Sequence, residues 1–209
     1  MSKRTLLWLL PALLYSAFTL WYTNLEGPLT SEEIDAFVAR MEANNSDPES
    51  IEMIKAFAEG DTGRQFLMLN AIDLNENPGP VEGANAGEDG AALMGRYMEF
   101  MFPALLARGC HPTFMGNAVF GAIDVVGIEG AQHWDQGALF RYRSRRDMIE
   151  IVTNPAFAGR HHFKTAALTK TIAYPIEPML YLSDPRLLLA LLLLAMCGLL
   201  DALLFRRRA

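Results

Sequence analysis

Residues 141–164 read RYRSRRDMIEIVTNPAFAGRHHFK and bring five arginines, two histidines and a lysine into a chain whose net formal charge is −6. A guanidinium group is a planar fork of donors that matches a carboxylate. Arg141 and Arg143 alternate with Phe140 and Tyr142, so on a strand both would point to one face of a sheet. If that face lines a cavity, the pair would converge on an anion such as a carboxylate. Otherwise they pair with the abundant Asp and Glu and fix a strand–helix junction. His161 and His162 are adjacent and face different ways on any regular element, so one at most serves a given site. With an ordinary pKa of about 6.5, an imidazole here either ligates haem or a metal, acts as a general base, or bonds a backbone carbonyl at a turn. Asn70, the polar residue within FLMLNAIDL, would share the cavity if strand register allows. The candidate ligand-binding set is therefore Asn70, Arg141, Arg143 and His162, and no catalytic residue is assigned.

Other chemistry finds less support. Ser144 reads as a helix N-cap with Asp147 at the third helical position, and no local base motif marks it as a nucleophile. His111 and His133 fall at strand starts, as structural or rim residues. Cys110 is the sole thiol between the apolar ends, so no intradomain disulfide or zinc-finger-like site is expected. No metal site and no required cofactor follow from the spacing of ligands. GANAGEDG is too acidic for a phosphate loop. Glu88 and Asp89 instead supply favourable charge at the start of the next helix.

The elements that would position these residues begin with the two ends. Residues 5–23, TLLWLLPALLYSAFTLWYT, carry no charge, and as a helix they would extend about 28 Å. Residues 187–205 form a second span of similar length. The first competes with a cleaved secretory signal, but it ends in the interfacial pair Trp21-Tyr22 rather than at a small-residue cleavage site. Lys3 and Arg4 before one span, and Arg206, Arg207 and Arg208 after the other, predict that both termini are cytoplasmic. Asp201 then sits near an interface, either neutralised by the following arginines or contacting another subunit. Residues 24–184 hold 12 Lys/Arg against 23 Asp/Glu, a formal charge of −11. That sign excludes nucleic acid as an expected partner and suits a periplasmic domain of a bacterial inner-membrane protein. The domains predicted are an anchor at 1–24, a helical collar or stalk at 25–63, the main domain at 64–184, and a second span with a basic tail at 185–209.

Within the collar, Thr30 and Glu33 make a capping box ahead of an Ile34, Phe37, Val38, Met41 stripe, and Pro48 opens a second helix closed by Gly60. Beyond it the pattern predicts a strand at 65–74, a Gly/Pro/Asn-rich loop, and a helix at 91–108 that Pro103 should kink or break. A long strand at 113–127 with a bend at Gly116 or Gly121 follows, then a strand at 134–143. A helix at 144–152, an NPAF turn and a last strand at 169–178 complete it. This β-α-β-β-α-β order is the ferredoxin-like arrangement, an α+β fold with two helices on one face of a four-stranded antiparallel sheet. The first strand is apolar on both faces, so the open face should be buried against a second copy or another membrane subunit.

Trp134-Asp135, Arg141-Tyr142, Ser144-Arg145, Pro155, His162, Lys164 and Ala166-Ala167-Leu168, with FLMLNAIDL, resemble the uncharacterised small-protein branch of the dimeric α/β-barrel superfamily. The resemblance spans about residues 65–178. It implies a dimeric barrel and no agreed activity. Better-known members of the superfamily are small monooxygenases and haem-degrading enzymes that use the cavity between sheet and helices. The two membrane spans depart from that soluble form. Two functions are thus expected: a membrane-anchored accessory or interaction subunit of a membrane assembly, or a small-ligand or haem-binding enzyme using the barrel cavity.

Overall fold

The computed structural model describes residues 1–205. In chain order its elements are α1 (Lys3–Tyr22), α2 (Ser31–Ala43), α3 (Pro48–Glu59), β1 (Phe66–Leu74), α4 (Gly90–Ala107), β2 (His111–Asn117), β3 (Gln136–Tyr142), α5 (Arg145–Val152), α6 (Pro155–Ala158), α7 (His161–Ala166), β4 (Leu168–Ile176) and α8 (Pro185–Leu204). They form two units. One is Met1–Leu25 with the chain from Pro178 onward, and the other is Glu26–Glu177.

The first unit is a pair of helices, α1 and α8, each 20 residues long and apolar enough to cross a bilayer. At 1.5 Å per residue each extends about 30 Å. Arginines tie the pair at both ends. Arg4 donates two hydrogen bonds to the Asp201 carboxylate, at 2.8 and 2.7 Å. At the other end, Arg186 donates to Thr23 Oγ1 at 3.0 Å and lies 5.3 Å from the Tyr22 ring. The carboxylate of Asp201 therefore meets the neighbouring helix of its own chain, a partner that neither expectation named. Two antiparallel helices bring Arg4 and Asp201 to one end, where a fork–carboxylate pair forms readily. Arg206, Arg207 and Arg208 lie outside the described residues.

In the second unit a four-stranded antiparallel sheet runs in the order β2-β3-β1-β4. The central strand β1 is apolar on both faces because each face has its own neighbours. Residues paired directly across an antiparallel ladder share a face, so Asn70 stands with Ala138, and Leu69 stands with Leu139 and Tyr174. The helices cover the Asn70 side. Phe66, Tyr142, Met101, Leu105, Met148, Ile149 and Ile151 build the core there. Ile34 and Phe37 of α2 and Ala58 of α3 belong to the same cluster. From the segment read in the sequence as a collar, residues 25–63, α2 and α3 thus contribute side chains to the core of the sheet unit.

Local rules account for most boundaries. Thr30 and Glu33 form the expected capping box, and Glu33 also accepts two bonds from Arg146 of α5, at 2.7 and 3.1 Å. That guanidinium, with the Thr30 amide, holds the Glu33 carboxyl well below its ordinary value, at about 2. Gly90 opens α4 where a side chain would collide with the backbone of Asn75 and Ala167. Its amide donates to Asn75 O at 2.8 Å, while the Asn75 amide donates to Ala167 O at 2.9 Å. These bonds set the start of α4 against the start of β4.

Three expectations change. Of the kink or break expected at Pro103, the break does not occur: helix α4 runs from Gly90 to Ala107 through it, and Met101 and Leu105 on either side are buried against the core. The strand expected at 113–127 stops at Asn117. Its ladder partner β3 begins only at Gln136, so later residues have no strand to pair with and form an irregular arm, with Gly127 and Gly130 at positive φ. High β-propensity does not make a strand without a partner. Finally, the turn after α5 is two short helices, α6 and α7.

Candidate functional site

Between the sheet and helices α4, α5 and α7 lies a cavity of about 210 Å³. Met68, Asn70 and Ile72 of β1 and Ala138, Phe140 and Tyr142 of β3 form its floor. Tyr97, Met98 and Met101 of α4, Met148 of α5 and Lys164 of α7 line it from the helix side. Six of the chain's 11 methionines border it, namely Met68, Met94, Met98, Met101, Met115 and Met148. Thioethers are flexible and polarizable, so such a wall adapts to apolar shapes.

The four residues singled out from the sequence do not assemble there. Asn70 alone lines the cavity, and its Nδ2 donates to Met68 O at 2.9 Å. Arg141 has the opposite strand parity, pairing with Leu67 on β1, and points away from the cavity. It is 1% exposed. Its Nε and Nη2 donate to Gln65 Oε1 at 3.0 and 2.8 Å, and Nη1 donates to Gly109 O at 2.5 Å.

Arg143 lies just past the end of β3, where strand alternation no longer applies. It donates to both oxygens of Asp147, at 2.9 and 2.6 Å. Asp147 also accepts the Ser144 hydroxyl at 2.6 Å, and Ser144 Oγ in turn accepts the Asp147 amide. Arg143 is thus tied to the cap of α5. Cys110 packs against this corner and accepts the Arg143 amide at 3.3 Å. Burial pushes its thiol up to about 11, so it is neutral and unreactive at ordinary pH. His162 is exposed. Its Nε2 is 3.0 Å from Glu82 O, and its ring is 4.1 Å from that of Phe163.

Lys164 is the residue the sequence reading passed over. It lines the cavity, with Nζ 5.8 Å from the centre of the Tyr97 ring. Burial lowers its ammonium below the ordinary lysine value. Burial and the nearby Lys164 charge also lower His161, whose ring meets Tyr97 edge-on at 6.4 Å. The available signal was helical spacing: on a helix, residues 161 and 164 share a face, but this segment reads as a turn. Burial raises the phenol of Tyr97 to about 12 and raises that of Tyr142 as well, so both stay protonated.

A second group brought together by the fold is Asp73, His133 and Asp135, which offer one ligand atom each within 4.8 Å of one another. Two carboxylates and an imidazole suit a divalent cation. Here Lys170 already supplies positive charge, with Nζ 3.5 Å from Asp73 and 4.9 Å from the Trp134 ring. Asp135 also accepts the Leu74 amide at 2.6 Å, fixing the end of β1. The set works as a staple between β1, β4 and the arm.

No family profile matches the chain, and no curated protein matches it. Two solved structures do, both of the RPA0582 protein of Rhodopseudomonas palustris, described as a protein of unknown function. The methylated form superposes with a TM-score of 0.52 at 19% identity, covering 64% of this chain and 93% of that one. The other gives 0.50 at 19% identity, covering 65% and 95%. At that identity, this chain is similar to those proteins in fold alone.

Proposed function

We propose that this chain is a membrane-tethered accessory subunit whose sheet domain docks on a second copy of itself. In this reading α1 and α8 hold a ferredoxin-like domain on the periplasmic side of a bacterial inner membrane. The antiparallel order β2-β3-β1-β4, with α4 and α5 as crossovers, supports that assignment. The basic residues Lys3 and Arg4 and the −11 charge between the spans support the orientation.

One observation carries the docking: the sheet face away from the helices has an apolar part, around Phe114, Ile172 and Tyr174, that is open. Phe114, Ile172 and Tyr174 on it are 58, 37 and 47% exposed. Leu69, Ala71, Ile172 and Tyr174 share a groove there with Val125 and Ile128 of the arm, and Val119 at the arm's start is fully exposed. A single sheet with one covered face usually buries the other against a partner. Native mass spectrometry of the full chain in mild detergent tests this. A dimer that is lost in an Ile172→Asp/Tyr174→Asp variant is the expected result, and a wild-type monomer at all concentrations would sink the reading.

The cavity favours a second reading, a small-ligand site. Its lining holds no histidine among the described residues. If a haem were bound there, methionine, tyrosine or lysine side chains of the lining would hold it.

A further inference from the structure

We propose that the cavity takes a medium-chain monocarboxylate, a fatty-acid-like anion, with Lys164 as its counter-ion. The proposal rests on the cavity being a ligand site and is independent of the dimer.

The argument is one of unmatched charge. Lys164 makes no hydrogen bond or ion pair among the described residues, and its contact with the Tyr97 ring, at 5.8 Å, is a weak cation–π interaction. Several other cations of this unit meet carboxylates, among them Arg96 with Glu88, Arg108 with Glu150, Arg143 with Asp147, Arg146 with Glu33 and Lys170 with Asp73, while Arg160 lies over the Phe100 ring at 3.8 Å. In a segment with 23 Asp/Glu and 12 Lys/Arg, an ammonium left without an anion is not explained by a shortage of acids. Lys164 is half-buried, so its ammonium is solvated less fully than a surface lysine, and an incoming anion would offset that loss.

The rest of the wall narrows the class. Three of its polar side chains are already engaged within the protein. Asn70 donates to Met68 O, Gln136 to Asn117 Oδ1 at 3.3 Å, and Thr171 to Ala71 O at 2.8 Å. That leaves Lys164, with the protonated phenols of Tyr97 and Tyr142, as the polar end. A sugar or a phosphate ester needs more fixed donors than this. A carboxylate on an alkyl chain needs one cation and a deformable apolar sleeve, which the methionines supply.

Isothermal titration of the full chain in lipid nanodiscs, with octanoate and its uncharged counterpart octanol, tests the assignment; empty nanodiscs correct for partition into lipid. Wild type should bind octanoate saturably. Lys164→Met should weaken octanoate at least about tenfold, the scale of a lost buried charge pair, while leaving octanol binding equal or tighter. Lys164→Arg keeps the charge and should keep the preference for octanoate over octanol, which separates loss of charge from loss of fold. Equal octanoate affinity in wild type and Lys164→Met would overturn the counter-ion role while leaving the cavity a ligand site. Failure of wild type to bind either probe would overturn both.

Discussion

At the β3–α5 corner, Arg141, Arg143 and Arg146 each reach an oxygen acceptor, whereas in the cavity wall Lys164 reaches none. Both regions descend from the same charge-rich stretch. The arginines are forks with several donors, and the fold offers each a carboxylate, an amide oxygen or a backbone carbonyl. They hold elements together: Arg141 ties β3 to the turn before β2, Arg143 ties β3 to the α5 cap, and Arg146 ties α5 to the start of α2. Lys164 ties nothing. Density of charge marked the structural corner, and absence of a partner marks the candidate site.

The largest expected effect breaks the corner. Replacing Arg141 by Met removes the guanidinium donors to Gln65 Oε1 and Gly109 O and puts an apolar side chain in their place. Taking the donor away from a buried acceptor costs about 1–3 kcal/mol. Chemical denaturation of the full chain in mild detergent should show that loss in the sheet unit. A cost below about 1 kcal/mol would mean the corner is not the clamp its geometry describes.

Lys164→Met should move stability the other way, by less than about 1 kcal/mol, because it removes a half-buried charge that has no anion among the described residues and keeps an unbranched apolar stem. The pH dependence gives the sign an independent check. Since the folded protein holds the Lys164 pKa below the ordinary 10.5, the penalty is present in full below the folded pKa and is relieved as pH rises toward the unfolded one. Wild type should therefore gain on Lys164→Met as pH rises toward 10.5. The subtraction cancels the opposite contribution of Tyr97 and Tyr142, which both proteins share. A parallel pair of curves would show that Lys164 carries no buried charge.

Much of the scaffold was legible in the sequence because local rules wrote it. The Thr30–Glu33 capping box, the Ser144 cap with Asp147 and Pro48 at the start of α3 are each set within four residues. The candidate site was not. Whether Arg141 faces the cavity depends on the parity of β3 against β1, which a sequence does not reveal, and the alternation that should have carried Arg143 with it ends at Tyr142. The arm at 118–135 misled through its composition, since a strand also needs a partner. Lys164 was hidden because six residues of helix, α7, are too few to show a period. The core role of Ile34, Phe37 and Ala58 required long-range packing, although their stripes were visible.

The smallest effect falls on the residue that looked most chemical. His162 offers an imidazole beside a second histidine, yet it is exposed, with Nε2 against the Glu82 carbonyl and its ring on Phe163. An exposed single hydrogen bond is worth little, so His162→Ala should change stability by no more than about 0.5 kcal/mol. It should also leave octanoate binding at the wild-type level, because the ring lies outside the cavity lining. Measured beside Lys164→Met in the same titration, it divides the stretch at one helical turn, with the exposed side holding a loop in place and the buried side meeting the ligand. If His162→Ala abolished binding while Lys164→Met did not, the two regions would exchange roles and the rule of the unmatched charge would fail for this fold.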